Sequence, residues 1–135
     1  MTFLQGAKVY LLTLAVFLAI DFLWLGLVAK PFYRRHLAHF FAEEVNWAAA
    51  FLFYALFVFG LMILVIFPAL KADQTLRALS LGVLYGLVTY ATFDLTNLAL
   101  LKDWPVAVVV VDILWGMVLS GIVATSGYWI AKWLS

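Results

Sequence analysis

The sequence predicts an all-α protein, an integral membrane bundle of four transmembrane helices with a short interfacial helix between helices one and two. Three observations carry that expectation. Hydrophobic residues make up 68% of the 135 positions and charged residues only 11%, too little polar surface to coat a water-soluble globule of this size. The apolar residues gather in four stretches, 9–29, 47–70, 78–101 and 104–131, each reaching the roughly 20 residues a helix needs to cross about 30 Å of hydrocarbon. These stretches are apolar at almost every position. In lipid a helix satisfies its own backbone groups, whereas barrel strands would be short and alternating.

The elements follow in order. The first stretch has one basic residue before it, Lys8, an internal Asp21 and no small-residue cleavage pattern near its end, so it reads as a retained span rather than a signal peptide. Lys30-Pro31 closes it. The next segment, PFYRRHLAHFFAEEV, places Arg35, His39 and Glu43 on one helical stripe and Tyr33, Leu37, Phe40 and Phe41 roughly opposite, the pattern of a helix lying in the membrane interface. Arg34 and Arg35 there are candidates for contact with a lipid headgroup phosphate. His36 and His39 stand at i, i+3 without further obvious ligands nearby, and no metal site is assigned to them. The second span contains FLFYALFVFG, with no polar residue beyond Tyr54, so it is expected to face lipid over much of its surface and to contribute little chemistry. PALKADQTLR at 68–77 separates the second span from the third, and Lys102-Asp103-Trp104-Pro105 turns tightly into the fourth. No longer connector intervenes, and residues 1–135 read as a single transmembrane domain. Trp47, Trp104, Trp129 and Trp133 near the span ends match the usual aromatic belt.

Composition also excludes classes of function. The chain has no cysteine, which removes disulfides, thiolate metal sites and cysteine nucleophiles. A net charge of +1 gives no basic excess for nucleic acid. Lys8, Lys71, Arg77 and Lys132 fall on the side of the termini, and Lys30, Arg34, Arg35 and Lys102 on the other, the loop face. Four against four assigns no cytoplasmic side.

The informative residues are the acids inside the spans. Asp21 lies nine residues from Lys30, Asp94 eight from Lys102, and Asp112 nine from Asp103, which puts all three roughly 12 to 14 Å below the loop face. A charge at such depth costs several kcal/mol, of order 3, unless it faces the bundle interior or water. Three at one depth therefore predict a shared polar pocket opening toward the loop face. Asp21-Phe22-Leu23-Trp24 and Asp112-Ile113-Leu114-Trp115 repeat D-x-L-W, placing an indole on the same helix face as each carboxylate. In the third span Tyr90, Asp94 and Asn97 form one stripe, with Thr96 close by, and Gly82 and Gly86 continue it with GxxxG spacing, which permits close helix approach. Lys, Arg and His occur in the spans only near their ends. What balances the acids is then a proton, hydrogen bonds from Trp24, Trp115, Tyr90, Thr96 or Asn97, a cation, or a cationic ligand. The candidate ligand- or proton-binding set is thus Asp21, Trp24, Tyr90, Asp94, Thr96, Asn97, Asp112 and Trp115.

DFLWLG at 21–26, DLTNLALLKDWP at 94–105 and DILWG at 112–116 resemble the signature blocks of a bacterial family of small four-span membrane proteins, a domain of unknown function, number twenty-one seventy-seven. The resemblance covers essentially the whole chain and implies a protein of the bacterial cytoplasmic (inner) membrane. It implies no activity, so catalytic residues and cofactors are unassigned.

Three functions fit these residues. The first is a small membrane protein whose acidic pocket binds or carries a proton, a cation or a cationic, amphiphilic small molecule, with Trp24 and Trp115 as aromatic walls; it would act as a homodimer, with Gly116, Ser120, Gly121 and Thr125 as a small-residue helix interface. The second is a membrane enzyme acting on a lipid or phosphate-bearing substrate, with Mg²⁺ bridging carboxylates to phosphate. The third is a structural or accessory subunit of a membrane complex, whose polar layer sets helix register. Membrane lipid is a partner in every case.

Overall fold

The computed structural model describes residues 1–42 and 44–135. Glu43, placed by periodicity on the polar stripe of the interfacial segment, lies outside the described residues. The elements are α1 (Phe3–Val28), α2 (Lys30–Leu37), α3 (Trp47–Ala72), α4 (Thr75–Leu100) and α5 (Val106–Leu134). Four of them, α1, α3, α4 and α5, are long and apolar enough to cross a membrane, and α2 with a short 3-10 turn at Ala38–Phe40 lies between the first two.

Local chemistry sets where these helices start and stop. α1 begins earlier than its apolar run because Thr2 and Gln5 cap it reciprocally: the Gln5 amide donates to Thr2 Oγ1 at 3.1 Å and the Thr2 amide to Gln5 Oε1 at 3.0 Å. Asn46 caps α3 by accepting from the Ala49 amide at 3.1 Å. Pro68 is a second departure from expectation, since α3 runs through it to Ala72. A π turn at Met62–Ile66 immediately upstream widens the backbone where the missing proline amide and its ring would clash.

Both chain ends meet the α3–α4 connection on one side. Gln5 Nε2 donates to the Leu134 carbonyl at 3.4 Å, while Tyr128 and Lys132 of α5 both donate to the Asp73 carboxylate. Lys132 beside Asp73 holds that carboxyl below the usual carboxylate range. A depressed folded value means the contact stabilises above the ordinary aspartate value of about 3.9 and that its contribution is lost as pH falls through the folded value. An NMR titration of the Asp73 carboxyl is expected to give a depressed midpoint that returns to the ordinary range in Lys132→Met.

At the other end, the Phe40 and Trp104 rings meet at 5.3 Å, bringing the α2 segment against the turn into α5. On α2, Tyr33 and Leu37 are buried and Arg34 and Arg35 exposed. Phe40 and Phe41, expected on the apolar stripe, are 40% and 53% exposed; Phe40 ends the 3-10 turn and Phe41 caps it.

α4 and α5 pack along small residues. Gly82, Gly86, Gly116, Ser120, Gly121 and Ala124 are all buried. A Cβ on Gly82 would lie 2.7 Å from both the Ser120 carbonyl oxygen and Ala124 Cβ, so backbone meets backbone here. Within the chain, α4 side chains lie against Gly116 and Gly121. Around this seam Phe17, Phe57, Leu61, Ile66, Leu119 and Val123 form the core. The outer faces stay apolar, with Leu52 and Leu56 on α3 and Leu114 and Val118 on α5 exposed, as lipid contact requires.

Candidate functional site

Asp21 of α1, Asp94 of α4 and Asp112 of α5 come together near the loop-face end of the bundle. Asp94 is 0% exposed and Asp21 5%; Asp112 is half-buried. Asp94 Oδ1 and Oδ2 have no N–H or O–H partner among the described residues, and the Asp112 carboxyl is the group within hydrogen-bonding reach. Two ionised carboxylates offer acceptors only, so this contact becomes a hydrogen bond when one proton is held between them.

Asp112 and Asp21 do have protein donors. Tyr33 OH donates to Asp112 Oδ1 at 2.9 Å, and Trp115 Nε1 to Asp21 Oδ1 at 3.2 Å. Trp24 Nε1 donates to Tyr33 OH at a long 3.4 Å. The two indoles stack with centroids 4.3 Å apart and planes 8° from parallel. The D-x-L-W repeat is therefore reciprocal across two helices. Each indole serves the other motif's carboxylate, Trp115 directly and Trp24 through Tyr33, instead of its own.

Backbone irregularity makes that exchange possible. A π turn at Trp24–Val28 follows Asp21, with the Ala29 amide donating to the Trp24 carbonyl at 2.7 Å; such turns recur at functional sites. α2 then starts at Lys30 and returns Tyr33 over the bundle end. Burial, with Asp112 beside it, holds the Tyr33 hydroxyl above the ordinary phenol range, so it acts as a neutral donor. On α5, Gly116 makes room for an aromatic wall: a Cβ there would collide with the Tyr90 ring.

Two neighbouring cavities lie against this cluster, and Asp94 and Trp24 line neither. The inner one, about 330 Å³, is lined by Asp21 and Asp112 with Tyr54, Phe57, Tyr90 and Trp115 among its walls. The outer one, about 920 Å³, lies beneath α2 and includes Lys30, Tyr33 and Arg34. Leu25, Tyr54, Phe93 and Asp112 border both.

Of the residues singled out from sequence, Asp21, Trp24, Tyr90, Asp94, Asp112 and Trp115 meet in this cluster. Asn97 is half-buried one turn beyond Asp94 and borders neither cavity. Thr96 is exposed on the outer face of α4, alongside Thr92 and Leu95. Arg34 borders the outer cavity, whereas Arg35 is exposed and does not.

Tyr33 and Tyr54 were not anticipated. Each carried a signal, because a phenol on an apolar stripe or in an apolar span requires a polar neighbour when buried. The second membrane helix, expected to contribute little chemistry, supplies Phe53, Tyr54 and Phe57 to the inner cavity. Tyr33→Phe removes the donor to Asp112 and the acceptor of Trp24, and is expected to cost about 1–3 kcal/mol, read as a lowered thermal midpoint in neutral detergent.

The family described as predicted membrane protein (DUF2177) matches residues 6–129. No curated protein and no solved structure matches the chain. With nearly all of its length matched, including every aspartate of the cluster and both D-x-L-W motifs, the chain belongs to this family of membrane proteins.

Proposed function

We propose that this protein, in the bacterial cytoplasmic membrane, binds or carries a cationic group, a proton or an amphiphilic amine, at the Asp21, Asp94 and Asp112 cluster. The observation that carries this reading is the inner cavity, in which two carboxylates share one aromatic-walled space. Aromatic faces attract cations, more strongly when desolvated, and carboxylates supply the compensating charge. Basic residues lie near the span ends, so no internal ammonium or guanidinium is placed to neutralise the cluster.

The test is calorimetric titration of the purified protein with decyltrimethylammonium. Saturable binding is expected in wild type and a loss of about tenfold or more in affinity in the Asp21→Asn, Asp112→Asn double variant. Undiminished binding in that variant defeats the proposal.

The Asp94 and Asp112 pair favours a second reading, an enzyme acting on a lipid or phosphate-bearing substrate, because two carboxyls within hydrogen-bonding reach are suited to passing a proton. That reading requires a chemically changed lipid after incubation with native lipid extract. An unaltered lipid mass spectrum eliminates it.

A further inference from the structure

We infer that the ligand is a phospholipid with an amine headgroup, its ammonium between Asp21 and Asp112 and its phosphate at Lys30 and Arg34. This rests on the cation-binding reading above and goes further, since it names the amphiphile.

Charge order is the first argument. The inner cavity holds the acids, and the outer cavity adds Lys30 and Arg34 under α2. Among the described residues neither base is in an ion pair; the one such pair joins Lys132 to Asp73 at the other end of the bundle. A simple cation would leave the bases unmatched, and a simple anion would leave the acids unmatched. A zwitterion whose phosphate and ammonium are a few bonds apart matches both, with guanidinium and ammonium as phosphate donors.

Size and lining are the second. About 920 Å³ outside about 330 Å³ far exceeds what an ion or a small amine occupies, and falls in the range of pockets that enclose larger organic ligands. The outer cavity is also bordered by Phe22, Gly26, Trp47 and Ala50 of α1 and α3. That apolar side gives acyl chains an exit into lipid while the headgroup bends inward. Gly26 lies in the π turn, and a Cβ there would meet nothing within 4 Å.

The experiment titrates purified protein in neutral detergent with dihexanoyl phosphatidylethanolamine, dihexanoyl phosphatidylglycerol and decyltrimethylammonium. The phosphatidylethanolamine is expected to bind about tenfold or more tighter than either other probe, from one additional charge-assisted contact. Lys30→Gln with Arg34→Gln should abolish the preference for phosphatidylethanolamine over the ammonium amphiphile, whose own affinity should not fall. Gly26→Trp, which alters no charge and occupies the apolar exit, should weaken the phospholipid by a similar factor. The lipid assignment is overturned, with the cation site left standing, if phosphatidylethanolamine binds no tighter than the ammonium amphiphile or ignores both sets of substitutions. Phosphatidylglycerol binding as tightly as phosphatidylethanolamine overturns it in favour of an anionic ligand. Failure of the cation-binding reading itself looks different: the ammonium amphiphile does not bind, or does not respond to Asp21→Asn with Asp112→Asn.

Discussion

Gly86→Ala is expected to lower the stability of the bundle by at least about 1–3 kcal/mol, the usual cost of forcing extra volume into a packed interior. The reason lies in what the new methyl meets. A Cβ on Gly86 would collide with the Gly116 carbonyl oxygen and lie 2.7 Å from its carbon and 2.8 Å from Ser120 Oγ. A flexible side chain could swing away from such a contact, but the backbone of α5 can yield only by moving the helix. Moving α5 from α4 also separates Asp112 from Asp94, so ligand affinity should fall together with stability. Gly26→Ala is the control, because its Cβ meets nothing within 4 Å and alanine is the better helix former. Thermal midpoints in one detergent compare the two directly. A Gly86→Ala protein as stable as wild type would mean that the α4–α5 seam is looser than the geometry describes.

Asp94→Asn is expected to retain the fold while flattening the pH profile of both thermal midpoint and ammonium binding. Asp94 Oδ1 and Oδ2 have no N–H or O–H partner among the described residues, and the Asp112 carboxyl is the group within hydrogen-bonding reach. An asparagine amide is nearly the same shape and carries its own donor, so it can hydrogen-bond the Asp112 carboxylate at every pH. The variant thus replaces a titrating contact by a permanent one. Its binding of decyltrimethylammonium over a pH series is the measurement, and a profile as steep as that of wild type would show that Asp94 does not carry the pH dependence. A midpoint reduced at all pH values would instead mean that the carboxyl contributes to packing in a way an amide cannot replace.

Particular residues show how far sequence reading reaches. Counting along each helix from its loop-face end gives the three aspartates similar positions, and in the bundle Asp21 and Asp112 line one cavity with Asp94 beside Asp112. Such counting is possible because rise per residue is constant in a helix. Thr96 was grouped with Asp94 by proximity along the chain. Two residues are about 200° around a helix, and Thr96 indeed sits on the outer face. Periodicity alone contained that answer. The destinations of Trp24 and Trp115 were not legible in the same way, since local spacing pairs each indole with its own aspartate and only the meeting of α1 with α5 exchanges the partners. Tyr33 reaches Asp112 from another element, at a sequence separation of 79 residues, and depends on the π turn that precedes α2.

By itself, the sequence determined that this chain has four apolar spans and carries three acids at similar distances from one end. Those properties belong to single segments, and hydrophobic length and helical rise act on each segment separately. Only the tertiary structure decided how the acids are partnered, that α3 supplies aromatic walls to them, and that the small residues of α5 are covered by α4 within the chain. Those outcomes depend on the rotation and separation of neighbouring helices, which are set by side chains distant in sequence and by the close approach that Gly82, Gly86 and Gly116 permit.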